Sequence, residues 1–405
     1  DNVTTAEQNA LADFTKTREE YTYQSTVTAS KAEKLDYQFI SKLPHITSST
    51  TYLSTYTFND TMSKGMTYNK DAVIAVYDSK DAADTTNVNN VDKSGAIAVW
   101  KSTDNDPNFA VTYGTSGDDS TMQVAMTKKG LNEINKKYSD KYIVVYYTAN
   151  VNTDDSVTLG DKGNPNDVSL TWKRTSTDYY DILKDECIIY SFGYDLTKKF
   201  SDDKGDATKV KFVIQNKSDN YYLVATGSNG VYQITGKSAT EEGATQFSPS
   251  AAGKLVINGI EADKYGFTET HSDAGYSLLK KEIIVNITST KAAITPTQAN
   301  ITGIQSKADT DSTANDGVVN GTALKNDVTV QTTAASATVN ETKATMTKHG
   351  ESNNAYVNME VTNQKQFLLP MTGGAGSYAL IIAGVVIAGC GFMIVKKNQK
   401  RKEIQ

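Results

Sequence analysis

Apolar side chains recur at every second position in many short runs, and a period of two predicts strands. Between residues 191 and 290 the runs are Phe192/Tyr194/Leu196, Val210/Phe212/Ile214, Tyr222/Val224, Leu255/Ile257, Tyr265/Phe267 and Ile283/Val285/Ile287. Turn signals separate them, so this part reads as a β-sandwich. Residues 1–190 carry further strands at Leu35/Tyr37/Phe39, 52–58, 72–77, 142–147 and Val168/Leu170/Trp172. One helix is predicted over 127–138, where Leu131, Ile134 and Tyr138 recur near the helical period. Residues 6–21 fit a helix or a frayed strand. From 288 to 354 the chain is rich in Thr, Ala, Ser and Asn and reads as a long surface insertion, with a short strand around Val328 and Val330. Alternation returns at Val357/Met359/Val361 in a closing strand.

Composition agrees with a mainly β protein: 23 Tyr and only 6 Pro favour strands. A length of 405 residues suits two or three domains, each able to bury a core. The formal charge of −6 leaves no basic footprint for nucleic acid. Cys187 and Cys390 have no CxxC spacing, and His45, His271 and His349 stand outside any Cys/His cluster, so no zinc site is expected. Residues 104–109 begin like a calcium loop but lack its Gly and its closing Glu, and read as a turn. No GxSxG, P-loop or dinucleotide fingerprint is present, so neither cofactor nor enzymatic turnover is expected.

The C-terminus has its own logic. Residues 373–395 carry no charge and would span roughly 34 Å as a helix, enough to cross a bilayer. Lys396, Lys397, Lys400, Arg401 and Lys402 follow, a cytoplasmic-side cluster by the positive-inside rule. Leu369-Pro370-Met371-Thr372-Gly373 stands immediately before the span. This order resembles the LPxTG cell-wall sorting signal of Gram-positive surface proteins. The resemblance implies that a membrane sortase cuts after Thr372 through a thioester, which an amine resolves. Cutting there removes a tail of net charge +4, taking the chain from −6 to −10, and leaves Cys187 as the mature thiol. No signal peptide precedes Asp1, so it is expected either to have been removed or to belong to a missing N-terminal part.

Three polar residues keep phase with apolar rows. Lys198 shares parity with Phe192, Tyr194 and Leu196; Glu269 with Tyr265 and Phe267; Asn363 with Val357, Met359 and Val361. Each either lies one step past a core edge or is buried with partners. Residues 265–276, Tyr-Gly-Phe-Thr-Glu-Thr-His-Ser-Asp-Ala-Gly-Tyr, resemble the E-box YxLxETxAPxGY of sortase-assembled pilins. Residues 194–199 look like that family's first strand, and 361–367 followed by LPMTGG look like its last. Phe267 replaces Leu, and Ser272-Asp273-Ala274 replaces Ala-Pro-x, which is expected to loosen the turn. The resemblance implies an intramolecular isopeptide bond in which Lys198 attacks Asn363 while Glu269 shuttles protons. Lys199 is one position out of phase and is the weaker donor.

Residues 28–37, 56–68 and 163–170 look like signatures of the preceding pilin domain. Some family members carry a second bond there, with Asp in the catalytic role. By position Lys16, Asp60 and Asn166 fill it, with Asn164 an alternative acceptor; Asp60 shares parity with Tyr56 and Phe58.

The resemblance therefore implies tandem Ig-like/prealbumin-like (collagen-binding-protein B-type) β-sandwich domains with a C-terminal membrane-spanning sorting helix. The expected divisions are 1–190, 191–368 with the insertion 288–354, and 369–405. The implied function is a cell-wall-anchored pilus backbone subunit on a Gram-positive surface. Its partners would be sortase, peptidoglycan or neighbouring pilin subunits, and host surface ligands, with no nucleic acid. The alternative is a monomeric wall-anchored adhesin using the same domains as a stalk. Polymerising pilins carry a lysine in a Tyr-Pro-Lys-like motif, and none is found here.

Overall fold

The computed structural model describes residues 2–5, 23, 26–45, 49–115, 118–175, 179–289, 305–308, 318–319, 322–323 and 335–366. The expectations for Lys16, for 6–21, for Val328/Val330 and for the sorting signal with its apolar span fall outside them. Among the described residues no helix is long and apolar enough to cross a membrane.

Twelve strands build the first unit. They are β1 (Asn2–Thr5), β2 (Thr26–Thr28), β3 (Lys34–Lys42), β4 (Leu53–Met62), β5 (Met66–Tyr68), β6 (Val73–Tyr77), β7 (Ala98–Lys101), β8 (Phe109–Thr115), β9 (Asp118–Met126), β10 (Tyr142–Val151), β11 (Asn164–Arg174) and β12 (Tyr179–Tyr190). One sheet runs β1-β3-β10-β6-β7, with β5 also on β10; the other runs β2-β12-β11-β4-β9-β8. Leu35, Tyr37, Phe39, Val145 and Tyr147 from the first sheet pack with Tyr56, Phe58 and Leu170 from the second. Among the described residues two helices decorate the unit, α1 (Asp81–Asp84) and α2 (Lys128–Lys137). Helix α2 starts where Thr127 caps it, its hydroxyl accepting from Gly130 N at 3.2 Å, and it buries Ile134.

The second unit contains β13 (Phe192–Phe200), β14 (Lys211–Asn216), β15 (Tyr221–Ser228), β16 (Val231–Ser238), β17 (Lys254–Ile260), β18 (Lys264–His271) and β19 (Ile283–Ser289). After these come β20 (Gln305–Ala308), β21 (Val318–Val319), β22 (Thr322–Ala323), β23 (Ala335–Val339), β24 (Thr342–Ala344), β25 (Met346–His349) and β26 (Ser352–Asn363). One continuous sheet of order β24-β23-β19-β18-β14-β15-β16-β17-β13-β26-β25 wraps a core of Tyr194, Leu196, Phe212, Ile257, Phe267 and Val357. Its ends approach each other, β23 and β24 meeting β26. The first and last strands of this unit, β13 and β26, are parallel neighbours.

Two sequence expectations change here. In β15 the buried residues are Tyr221 and Leu223, not Tyr222 and Val224. Four consecutive large side chains make both parities apolar, so period alone could not choose the inward face. The surface insertion is also shorter than 288–354. Strands β23 to β25 belong to the main sheet, and β20 pairs with β12 of the first unit. Edge strands with one exposed face hold their place by ladder bonds, so small and polar residues suffice.

The two units are clasped where β12 gives way to β13. Lys31 N donates to Gly259 O at 2.9 Å, and Ser191 Oγ donates to Ala29 O at 2.5 Å. Lys237 of β16 ion-pairs with Glu33 of the first unit and with Glu261 at 3.3 Å, its ammonium 4.1 Å from the centre of the Tyr221 ring. Tyr221 OH donates to Glu261 at 2.6 Å. On the other flank Asn354 Nδ2 donates to Asp161 at 2.8 Å and Lys162 N to Ser352 Oγ at 3.0 Å.

Candidate functional site

Strand alternation turns Lys198 inward, 4% exposed, directly after Leu196 in the buried row of β13. Lys199 points the other way, exposed, and pairs with Glu360 at 2.7 Å. Glu269 closes the inward row of β18, and Asn363 closes that of β26 with 1% exposure. These three strand ends meet. Lys198 Nζ lies 3.9 Å from Glu269 Oε1, with neither side chain exposed. Asn363 Nδ2 donates to Glu269 Oε1 at 2.8 Å, while Leu279 N donates to Glu269 Oε2 at 2.8 Å.

The lysine's other contacts are uncharged: Lys199 O at 3.0 Å, Val361 O at 3.4 Å and the Phe200 ring at 4.9 Å. Burial pulls its pKa down to about 8, with the Glu269 charge opposing. An amine whose neutral form is brought within reach, a carboxyl and a carboxamide thus share one buried pocket. Chemically, such a set can form an amide between Lys198 and Asn363.

Sequence reasoning missed Ser272, noted only as a departure from a motif. Its Oγ accepts from Asn363 Nδ2 at 2.7 Å. Ser272 lies one residue beyond β18, where strand parity carries no information. The expected loosening of the turn at Asp273 is not found. Its side chain accepts from Ala274 N and from Asp206 N, both at 2.8 Å, and its carbonyl accepts from Tyr276 N at 3.2 Å. Side-chain capping replaces the stiffness of a proline. Gly275, at φ +85°, lets the chain reverse. The turn then grips the exit of β26: Gln366 N donates to Gly275 O at 2.7 Å and Ser277 N to Gln364 O at 2.9 Å.

In the first unit Asp60 of β4 and Asn166 of β11 are both buried. Tyr68 OH and Tyr147 OH donate to Asp60 Oδ2 at 2.7 and 3.0 Å, and Asn166 Nδ2 donates to Tyr147 OH at 2.9 Å. Burial pushes the Asp60 pKa up to about 7, against the hydrogen bonds of Tyr68, Tyr147 and Asn166. Cys187, buried on β12, pairs in register with Asn166. Asn164 has another occupation. Its carboxamide accepts from Thr158 N at 2.9 Å and donates to Thr158 O and Ile189 O at 2.9 and 3.2 Å, pinning the 158–164 loop. Lys16 lies outside the described residues. The carboxylates of Asp219, Glu261 and Asp263 gather near the clasp. Glu261 already holds Lys237 and Tyr221, and Asp263 accepts from Asn216 at 3.0 Å.

Residues 361–403 match the LPXTG cell wall anchor motif. No curated protein matches the chain. Among solved structures it resembles the group B streptococcus pilus 2b backbone protein, at 15% identity, TM-score 0.50, covering 91% of this chain and all of that one. It is also similar to the Corynebacterium diphtheriae major pilin SpaA, at 14% identity, TM-score 0.45, covering 90% and 68%. The Streptococcus pneumoniae major pilin RrgB is a further match at 11% identity, TM-score 0.45, covering 90% and 74%. The chain therefore has the mainly β fold of a pilus backbone protein and carries the wall anchor of Gram-positive surface proteins.

Proposed function

We propose that this chain is a structural pilus backbone subunit, covalently attached by sortase at Thr372 and braced by a Lys198–Asn363 isopeptide bond. The observation that carries the reading is the junction of the two features in one strand. Strand β26 ends at Asn363, which touches Glu269 beside Lys198, and the sorting motif begins six residues later at Leu369. Tension applied to Thr372 thus enters the fold at the candidate bond.

The reaction balances without a cofactor. The neutral Lys198 amine attacks Cγ of Asn363, Glu269 carries the proton from Nζ to the departing nitrogen, and ammonia leaves as the amide forms. It runs once per molecule, as maturation rather than turnover. In the first unit Asp60 and Asn166 are proposed to serve a second bond with Lys16 as donor. After sortase cleavage the Thr372 carbonyl is passed to an amine, on peptidoglycan or on a neighbouring subunit.

The test is fractionation of cells expressing the chain with its sortase. A pilus subunit gives an SDS-resistant ladder released only by wall digestion, and Thr372→Ala abolishes it. Wall-bound monomers alone would favour the adhesin stalk. Detergent-extractable protein retaining the basic tail would exclude both.

A further inference from the structure

Asn363 presents an imbalance. Its Nδ2 donates to two oxygens, Ser272 Oγ at 2.7 Å and Glu269 Oε1 at 2.8 Å, while its buried Oδ1 has no partner among the described residues. A half-turn of the carboxamide about Cβ–Cγ exchanges the two atoms and leaves both neighbours in place. The carbonyl oxygen then faces the Ser272 hydroxyl and the Glu269 carboxyl at those same separations. Both groups can donate, since a hydroxyl rotates to suit and a protonated carboxyl carries one O–H.

We propose that Ser272 is a catalytic residue of the Lys198–Asn363 reaction, the second donor of an oxyanion hole whose first donor is Glu269. This rests on the isopeptide reading above. Attack by Nζ moves an electron pair from the C=O bond onto Oδ1, and two converging O–H groups hold the charge that develops. Collapse of the intermediate restores the carbonyl and expels ammonia: Glu269 gives its own proton to the leaving nitrogen and takes up the one that Nζ sheds. Both groups already lie 2.7 and 2.8 Å from this end of the ground-state carboxamide, close to the roughly 2.7 to 3.1 Å at which donors hold an oxyanion once it forms.

The hydroxyl is placed by the fold. Ser272 follows the last residue of β18, and the next residue, Asp273, is tied to Asp206 N and Tyr276 N. The pilin E-box motif that residues 265–276 resemble has alanine at this position, which has no donor to offer. The assignment therefore belongs to this chain and not to the motif.

Loss of one oxyanion donor slows acyl chemistry by about 100- to 1,000-fold. The experiment follows intact mass of the full chain, made without sortase in a short pulse of synthesis and sampled over time. Wild type is expected to have lost ammonia from this site by the first sample. Ser272→Ala should fold with the same β-sheet circular dichroism, retain the ammonia at first, and lose it about two to three orders of magnitude more slowly. Ser272→Thr, which keeps a hydroxyl, should recover most of the rate. Ser272→Ala maturing as fast as wild type, or Ser272→Thr as slow as Ser272→Ala, overturns the assignment and leaves the bond itself standing. Wild type retaining its full mass overturns the bond and the assignment together.

Discussion

Lys198 and Asn363 sit diagonally on neighbouring parallel strands: Lys198 pairs in register with Val361, and Asn363 with Phe200. Residues two apart on a strand share a face, so both side chains enter the core from one side and converge on Glu269. A one-residue slip of β26 would send Asn363 to solvent and leave the lysine with the carboxyl alone.

The bond is expected to lower the intact mass by one ammonia, about 17 Da, because amide formation expels it. Glu269→Ala should restore that mass and reduce stability, while Lys199→Ala, which loses only an exposed pair with Glu360, should change neither. Closing the 165-residue loop from 198 to 363 stabilises by about 5 kcal/mol in the chain-entropy treatment of crosslinks. Denaturant titration of wild type against Glu269→Ala measures this. The same ammonia deficit, measured in each protein against its own sequence mass, would falsify the assignment of the three residues.

Bond formation should speed up with pH. With its pKa drawn down to about 8, Lys198 is neutral in about a tenth of molecules at pH 7 and half at pH 8. The maturation rate is expected to rise about five-fold between those values. A flat profile would mean that deprotonation of the lysine does not limit the reaction.

The first unit should weaken as pH rises from about 4 to about 7. Asp60 is pushed up to about 7 by burial, so the folded state holds a proton that the unfolded state releases near pH 4. Its contribution is complete below the unfolded pKa and is lost as pH rises through 7, about 4 kcal/mol at most. Asp36, pushed to about 7 chiefly by burial, acts in the same direction. Asp60→Asn should flatten this slope in thermal melts taken across the range. An unchanged slope would assign the effect to Asp36 alone.

The clasp between the units should depend on the Lys237 ammonium. Lys237 lies between Glu33 and Glu261, all three nearly buried, so Lys237→Ala leaves two carboxylates facing each other. Removing one partner of a buried pair costs about 3 to 5 kcal/mol. Replacing all three with Met and Gln should recover most of that loss. If Lys237→Ala unfolds in denaturant at the wild-type midpoint, the ion cluster is not what holds the junction.

Much of this was legible in the sequence because period two reports which side chains face inward. It placed Lys198, Glu269 and Asn363 in apolar rows, separated Lys198 from Lys199, and agreed with Asp60, which the family resemblance had implied. It failed where that signal vanishes. In β12 charged residues break the rows, in β8 and β9 the rows are only three residues long, Phe109/Val111/Tyr113 and Met122/Val124/Met126, and no strand was predicted in any of them. Strands β23 to β25 bury little, so their Ala/Thr/Ser composition looked like loop. Ser272 and the clasp are tertiary facts: one lies in a turn beyond parity, and the other joins residues 204 positions apart.

The mechanical consequence follows from strand direction. Load enters the second unit at Phe192, at the start of β13, and leaves at Asn363, the end of β26. Parallel strands pulled from opposite ends are sheared along their whole shared ladder. An amide from Lys198 to Asn363 carries the load past that ladder, leaving only residues 192–198 between the entry point and the crosslink. Pulled through Thr372, wild type should therefore release almost no chain from this unit. Glu269→Ala should instead unfold in one event and release the 165-residue loop, roughly 550 to 590 Å when fully extended. Single-molecule force spectroscopy reads this length directly. A wild-type trace showing the same long release would mean that no covalent link spans the two strands.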